Sequence, residues 1–402
     1  VWLTGRLPVL SVQGWDGVLS GAGDAALPLA GANLVIDKLT GYGQVINGMR
    51  IDAVKRGDGL AAQVNSPALN GELVWQPRAF DSGGKLSARL RNVLWGESEL
   101  QLQPLSQPAQ PGKVEPAAVT LPDMLPALEL SIENLQIKGK QIGRLELVGH
   151  PDGQDWRMRR LHITNPDGSL TGDGVWRGIQ AGAKEPATQT QINLLLEISD
   201  AGKILARSGY PNTVKNGSGK LAANLAWKGS PEDFDYASLD GTLKLDTGKG
   251  QFLKMDPGIG KLLGILSLQA LPKRITLDFT DVFSDGFQFD NINGNAVIRR
   301  GVLDTQDFHI DGSAAKVTMR GNVDLHRETQ NLRVVILPSV GDSVSLLGAF
   351  AAGPMVGIGS LIVNKVLGNP LDKLVSFEYN VSGTWKDPSV VKLGQAPVKT
   401  NN

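Results

Sequence analysis

Histidine occurs four times, at His150, His162, His309 and His326, and no two of these stand three or four residues apart. Two metal ligands on one helix face need that spacing, so no helical metal site is expected. His309, in the alternating run Phe308-His309-Ile310-Asp311, reads as a solvent-facing strand residue. Cysteine is absent, which removes disulfides, thiolate catalysis and Cys-ligated metals together. Gly258-Ile259-Gly260-Lys261 comes nearest to a phosphate loop. It lacks the earlier Gly and the Ser or Thr after Lys that cradle phosphate and hold magnesium. Gly217-Ser218-Gly219 lacks the spacing of a nucleophile elbow and reads as a turn. The acids Asp281, Asp285 and Asp290 lie among Phe283, Phe287 and Phe289. Paired carboxylates run glycoside hydrolysis, so this cluster supports a carbohydrate-active enzyme as a minor alternative, with acids at strand edges as the plainer reading. The expectation is a chain that is not an enzyme, with no catalytic residue, no metal and no cofactor.

Lys and Arg together number 40, as do Asp and Glu. A nucleic-acid binder shows a basic excess, so no nucleic-acid partner is expected. Glycine is 49 of 402 residues, about 12% against a usual 7% or so, without a three-residue period; this predicts many tight turns. The opening Val1-Trp2-Leu3-Thr4-Gly5 has no initiator Met, charged region or apolar run. It reads as the start of a fragment, with any targeting or anchoring segment upstream.

What positions these residues is a recurrent period of two, in runs of five to ten residues bounded by Gly, Asn, Asp or Pro, the mark of half-buried strands. Ile192, Leu194, Leu196 and Ile198 alternate with Asn193, Leu195, Glu197 and Ser199. Leu221, Ala223, Leu225 and Trp227 repeat the pattern, as do Val375, Phe377, Tyr379 and Val381. Several strands close on Trp before a turn, at Trp75, Trp176, Trp227 and Trp385. The fold class is mainly β: an elongated, curved, antiparallel-rich sheet forming an apolar groove, with a few short amphipathic helices near the C-terminus. The same alternation also fits closed sandwiches and barrels. Candidate groove-lining residues are Leu194, Leu196, Ile275, Leu277, Val317 and Met319.

The segment 103–126 carries six prolines and little periodicity, the composition of a loop or linker. It divides a strand-repeat block, 1–102, from a longer block, 127–402. Within the latter, Asp256-Pro257 predicts a helix start, and Ile259, Leu262, Leu263, Leu266 and Ala270 form one stripe up to Pro272. The uncharged run Ser343 to Asn364 has the length of a membrane span. Gly353-Pro354 breaks it, so two helices are expected within 343–367, each too short to cross a bilayer core of about 30 Å. Leu346, Leu347, Phe350, Met355, Ile358, Leu361 and Ile362 are the candidate membrane contacts if the pair dips into a bilayer. Otherwise the pair plugs the end of the groove.

Three stretches carry a resemblance to a known family: Ala206-Arg207-Ser208-Gly209-Tyr210-Pro211; Gly250 to Gly258 followed by Leu271 to Phe279; and Val381-Ser382-Gly383-Thr384-Trp385-Lys386-Asp387-Pro388. They resemble the YhdP branch of the AsmA-like family, over most of the chain and most strongly from about Leu205. The resemblance implies the C-terminal part of a protein in the periplasm of a Gram-negative bacterium. That protein would be anchored in the inner membrane by an N-terminal helix absent from this chain. The implied partners are phospholipids and the inner and outer membranes, with envelope protein partners unknown. No catalytic residues carry over. The implied function is non-enzymatic transfer of phospholipid along a hydrophobic β-groove, against the alternative of a structural or adhesive β-scaffold. Physical chemistry points the same way. A lipid with about 30 methylenes would lose roughly 25 kcal/mol if its tails crossed water unshielded, so a path must stay apolar throughout. A sheet supplies that when every second side chain faces one side.

Overall fold

The computed structural model describes residues 1–11, 30–41, 44–77, 83–96, 125–178, 188–253, 286–339 and 376–393. The expected helices at 257–271 and 343–367 lie outside them, as do Ile275, Leu277 and every candidate membrane contact. Among the described residues the protein is mainly β, and no helix is long and apolar enough to cross a membrane.

Two compact units divide the chain. Unit 1 holds Val1–Leu194 and Lys228–Phe234; unit 2 holds Leu195–Trp227 and Asp235–Asn402. Unit 1 contains β1 (Trp2–Ser11), β2 (Gly31–Gly41), β3 (Gln44–Arg56), β4 (Gly59–Asn65), β5 (Leu69–Gln76), β6 (Lys85–Trp95), β7 (Ala127–Ile137), β8 (Lys140–Asp152), β9 (Asp155–Asn165) and β10 (Gly168–Arg177). It also holds most of β11 (Gln189–Ile198). From β2 to β6 and from β7 to β10 neighbours pair antiparallel, whereas β1 with β2 and β6 with β7 are parallel. Parallel neighbours need a crossover connection of a dozen or more residues, and these two joins fall at the long segments between β1 and β2 and between β6 and β7. The strands flanking the proline-rich stretch are therefore direct partners, Lys85 opposite Ala127 through Trp95 opposite Ile137.

Unit 2 continues from the end of β11 through helix α1 (Ala201–Arg207), β12 (Val214–Asn216), β13 (Gly219–Lys228), β14 (Asp240–Thr247) and β15 (Gly250–Phe252). It then runs through β16 (Phe287–Arg299), β17 (Val302–Gly312), β18 (Ala315–Asp324), β19 (Thr329–Pro338), β20 (Phe377–Thr384) and β21 (Pro388–Lys392). From β16 to β21 each strand pairs antiparallel with the next. Helix α1 starts at Asp200, whose carboxylate accepts from the Lys203 amide at 3.0 Å. Its apolar content is too short to show a period, which is why the alternation signal passed over it. The stretch Ala206 to Pro211 is the C-terminal exit of this helix, closed by Gly209 N–H to Ala206 O at 3.0 Å and Tyr210 N–H to Leu205 O at 2.8 Å.

Turns account for part of the glycine excess. The β7–β8 hairpin turns through Lys138 and Gly139, both at positive φ, and the β16–β17 hairpin through Arg300 and Gly301. Another part has a different cause. Gly31 faces the Trp2 ring on the neighbouring strand, where a Cβ would come within 2.7 Å, and Gly294 faces Phe308, where it would come within 2.5 Å. Gly149 with Trp156, Gly250 with Phe289 and Gly312 with Phe287 repeat the arrangement. A missing Cβ leaves a flat recess, and an aromatic ring on the adjacent strand fills it. Those glycines belong to strands rather than to turns.

Candidate functional site

Cross-strand partners in a sheet point to the same face, so the register shows what each face offers. In unit 1 one row runs Leu34, Ile51, Val64, Gly71, Leu90, Ile132, Leu145, Ile163 and Leu170, each paired with the next. Two residues along, a second row runs Ala32, Ala53, Ala62, Leu73, Ala88, Leu130, Leu147, Leu161 and Gly172. Between them, on the opposite face, lies Asn33, Asp52, Gln63, Glu72, Arg89, Ser131, Glu146, His162 and Thr171. No charged or amide side chain enters either apolar row, and no hydrocarbon side chain other than the Thr171 methyl enters the polar one. The first row feeds a buried cluster of Val64, Ala88, Leu90, Val93, Ile132 and Leu135. Leu73, Leu130 and Leu145 pack on its edge half-buried.

Unit 2 repeats the segregation. Ile292, Ile310, Val317, Ile336 and Phe377 form one row. Phe308, Met319, Val334 and Tyr379 form the next. The other face carries Asp304, Asn322, Asn331, Ser382 and Ser389 in register. The apolar rows make a cluster in which Ile310, Val317 and Val323 are 0% exposed. Burial raises the pKa of the Tyr379 phenol within that cluster.

The sequence candidates divide accordingly. Val317 and Met319 sit inside the buried cluster of unit 2, with Lys316 and Arg320 exposed on either side. Leu194 and Leu196 are half-buried, between exposed Leu195 and Glu197. A methyl of Leu194 lies 2.7 Å from where a Gly172 Cβ would stand, which puts Leu194 on the side of the second apolar row. Glu197 takes an ion pair from Lys220 at 2.7 Å on the outer side. The buried face thus has packed floor positions and half-buried positions along it, and alternation by itself does not separate the two.

The residues weighed for chemistry do not converge. Among the described residues no group of His, Asp and Glu could hold a metal ion. His162 belongs to the polar row, and the His309 ring Nδ1 lies 3.0 Å from the Asp307 carbonyl. Phe287 and Phe289 turn into the buried cluster while Asp290 faces outward toward Lys249 at 3.5 Å. The alternation of β16 therefore separates the carboxylate from the rings, and Asp281 and Asp285 lie outside the described residues. A cavity of about 670 Å³ is lined by Arg157, Arg159, Arg177 and Asp173. Arg157 is held by Asp152 at 3.0 Å and Arg177 by Gln191 at 3.3 Å.

Within each unit the register thus sets rows of apolar side chains on one face and polar ones on the other. The sequence profile of the YhdP protein family matches residues 1–390. The chain belongs to that family. A curated relative, the intermembrane phospholipid transporter YhdP of Escherichia coli (strain K12), is 30% identical over 263 residues. That match covers 65% of this chain and 20% of the relative, so the chain spans about a fifth of the relative's length. No solved structure matches the chain.

Two features escaped sequence reasoning. One is the set of aromatic rings lying on strand glycines; Gly-to-aromatic pairing becomes visible only once register is known. The other is Gln330, which occupies an apolar-face position opposite Val323 and is 4% exposed. An amide in phase with Leu332, Val334 and Ile336 was the available signal.

Proposed function

We propose that this chain is one stretch of a non-enzymatic conduit that moves phospholipids through the periplasm between the inner and outer membranes, their tails lying on the apolar faces of the two units. The observation that carries this reading is the register. In the three rows traced from β2 to β10 through the middle of unit 1, apolar side chains and glycines meet one another on one face and polar side chains meet on the other, although toward the strand ends pairs such as Val35 with Arg50 and Val148 with Arg160 are mixed. A face built only to close a core has no need of half-buried Leu130, Leu145, Leu147 and Leu161 in line beside it. The relative's role as an intermembrane phospholipid transporter and the family membership support the same substrate class. Leu194, Leu196, Val317 and Met319 then belong to the groove, with Ile275 and Leu277 as further lining positions. Leu346, Leu347, Phe350, Met355, Ile358, Leu361 and Ile362 are proposed to contact a membrane. Inner-membrane anchorage of the whole protein belongs to the same reading.

Photo-crosslinking in the full-length protein in living cells tests it. A crosslinker replacing Leu147, Leu161 or Leu194 is expected to capture phospholipid, and one replacing Glu146, His162 or Asn193 is not. Equal capture from both sets would refute the assignment of faces and with it the conduit.

A further inference from the structure

Burying an amide or an indole N–H without a partner is unfavourable, and native proteins rarely do it without a reason. Gln330 leaves both its amide nitrogen and its amide oxygen buried and unpartnered among the described residues. The indole Nε1 of Trp385 is buried and unpartnered as well. These two side chains share a face. Gln330 is the register partner of Gly383, and the Trp385 amide donates to the Glu328 carbonyl at 2.9 Å, so Trp385 stands one place further along the same alternation. That is the apolar face, since Gln330 is in phase with the buried Leu332, Val334 and Ile336 and Trp385 packs against the same cluster.

The order of side chains along β19 narrows the ligand. In the turn before the strand stands Arg327, exposed and 3.6 Å from Asp324. Next on the buried face comes Gln330, uncharged and polar, and after it only hydrocarbon as far as Ile336. From Gln330 to Ile336 is about 20 Å at roughly 3.3 Å per residue. A charged zone, a narrow uncharged polar zone and a long apolar zone follow one another in a diacyl phospholipid as headgroup, glycerol esters and tails. The inward groups present N–H donors and an amide oxygen but no cation. Arg333 is turned to the other face and held by Glu378. A phosphate would call for a cation here; ester carbonyls need only donors.

We propose that Gln330 and Trp385 form a subsite for the ester carbonyls of a diacyl lipid, fixing the depth at which the lipid rides on unit 2. This inference rests on the conduit reading and adds the lipid's register to it. In unit 1, Trp176, one residue from the end of β10 and 4% exposed, also has a buried, unpartnered Nε1, though no unpartnered amide accompanies it among the described residues.

The experiment places a photo-crosslinker at Leu303, whose partner Val323 is itself the partner of Gln330, in the full-length protein. The protein is loaded from vesicles holding equal amounts of a diacyl phosphatidylglycerol and its dialkyl ether analogue of the same chain length. Wild type is expected to capture the diacyl form about five- to tenfold more, the effect of two hydrogen bonds at the weak end of the usual net range. Gln330→Met with Trp385→Phe keeps the volumes and removes the polar atoms, and should bring the ratio to about one while total capture is kept. Equal capture of the two lipids by the wild type overturns the ester subsite and leaves the conduit standing. Capture of neither lipid overturns the conduit and the subsite together.

Discussion

Aspartate placed at Leu130 and, in a separate variant, at the adjacent Ser131 puts the same charge one residue apart on opposite faces of β7. Leu130 is half-buried on the apolar row between Ala88 and Leu147. Ser131 lies on the polar row between Arg89 and Glu146. A hydrated carboxylate occupies about the 6.6 Å that separates successive inward side chains on one strand. A lipid passing over it loses contact for two or three methylenes on each tail. At about 0.8 kcal/mol per methylene, five methylenes amount to roughly 4 kcal/mol. Added to the barrier for passing that strand, this slows transit by nearly three decades. Folding should tolerate Leu130→Asp, because the half-buried side chain can turn its carboxylate toward water. At Ser131 the new charge lies on the hydrated polar face between Arg89 and Glu146, away from the tails, and transit is expected to be unchanged. The assay is phospholipid transfer by the full-length protein, with circular dichroism as the folding check. Equal transfer by the two variants, both folded, would refute the reasoning that tails ride on the Leu130 face.

Two further outcomes follow from packing and burial. A Cβ at Gly149 would collide with the Trp156 ring, which is held in place by its Nε1 donating to the Pro126 carbonyl at 3.0 Å. Gly149→Ala is therefore expected to lower stability by about 1–3 kcal/mol in denaturant unfolding, and the loss should shrink in a Trp156→Ala background. Burial raises the folded-state pKa of Tyr379 above its ordinary 10.0. Its stabilisation is thus complete below pH 10 and is lost as pH rises through the folded value, since the unfolded chain ionises first. Tyr379→Phe should flatten that alkaline decline in a stability–pH profile; an unchanged slope would mean that the phenol is not the group responsible.

Period-two alternation was enough to mark β11, β13, β17 and β20 as strands with one oily face, because in a strand the face of a residue depends only on its parity. Val317 and Met319, read from the sequence as candidate groove-lining residues, pair in register with Ile336 and Val334 inside a buried cluster. Partner identity was not legible. Nothing in residues 85–95 and 127–137 announces that these strands pair in parallel across the proline-rich segment, because pairing depends on the path of the connection and on the face each strand must cover. Degree of burial escaped for the same reason. Val317 at 0% exposure and Leu194 at half-burial have the same local pattern, and the difference comes from how many neighbours the register stacks around each. The glycines show the division most simply. Their number and spread were plain in the sequence, and turns were the natural inference. Only the tertiary structure set Trp2, Trp156, Phe287, Phe289 and Phe308 over glycines on adjacent strands, because a recess and the ring that fills it are brought together by register and not by proximity along the chain.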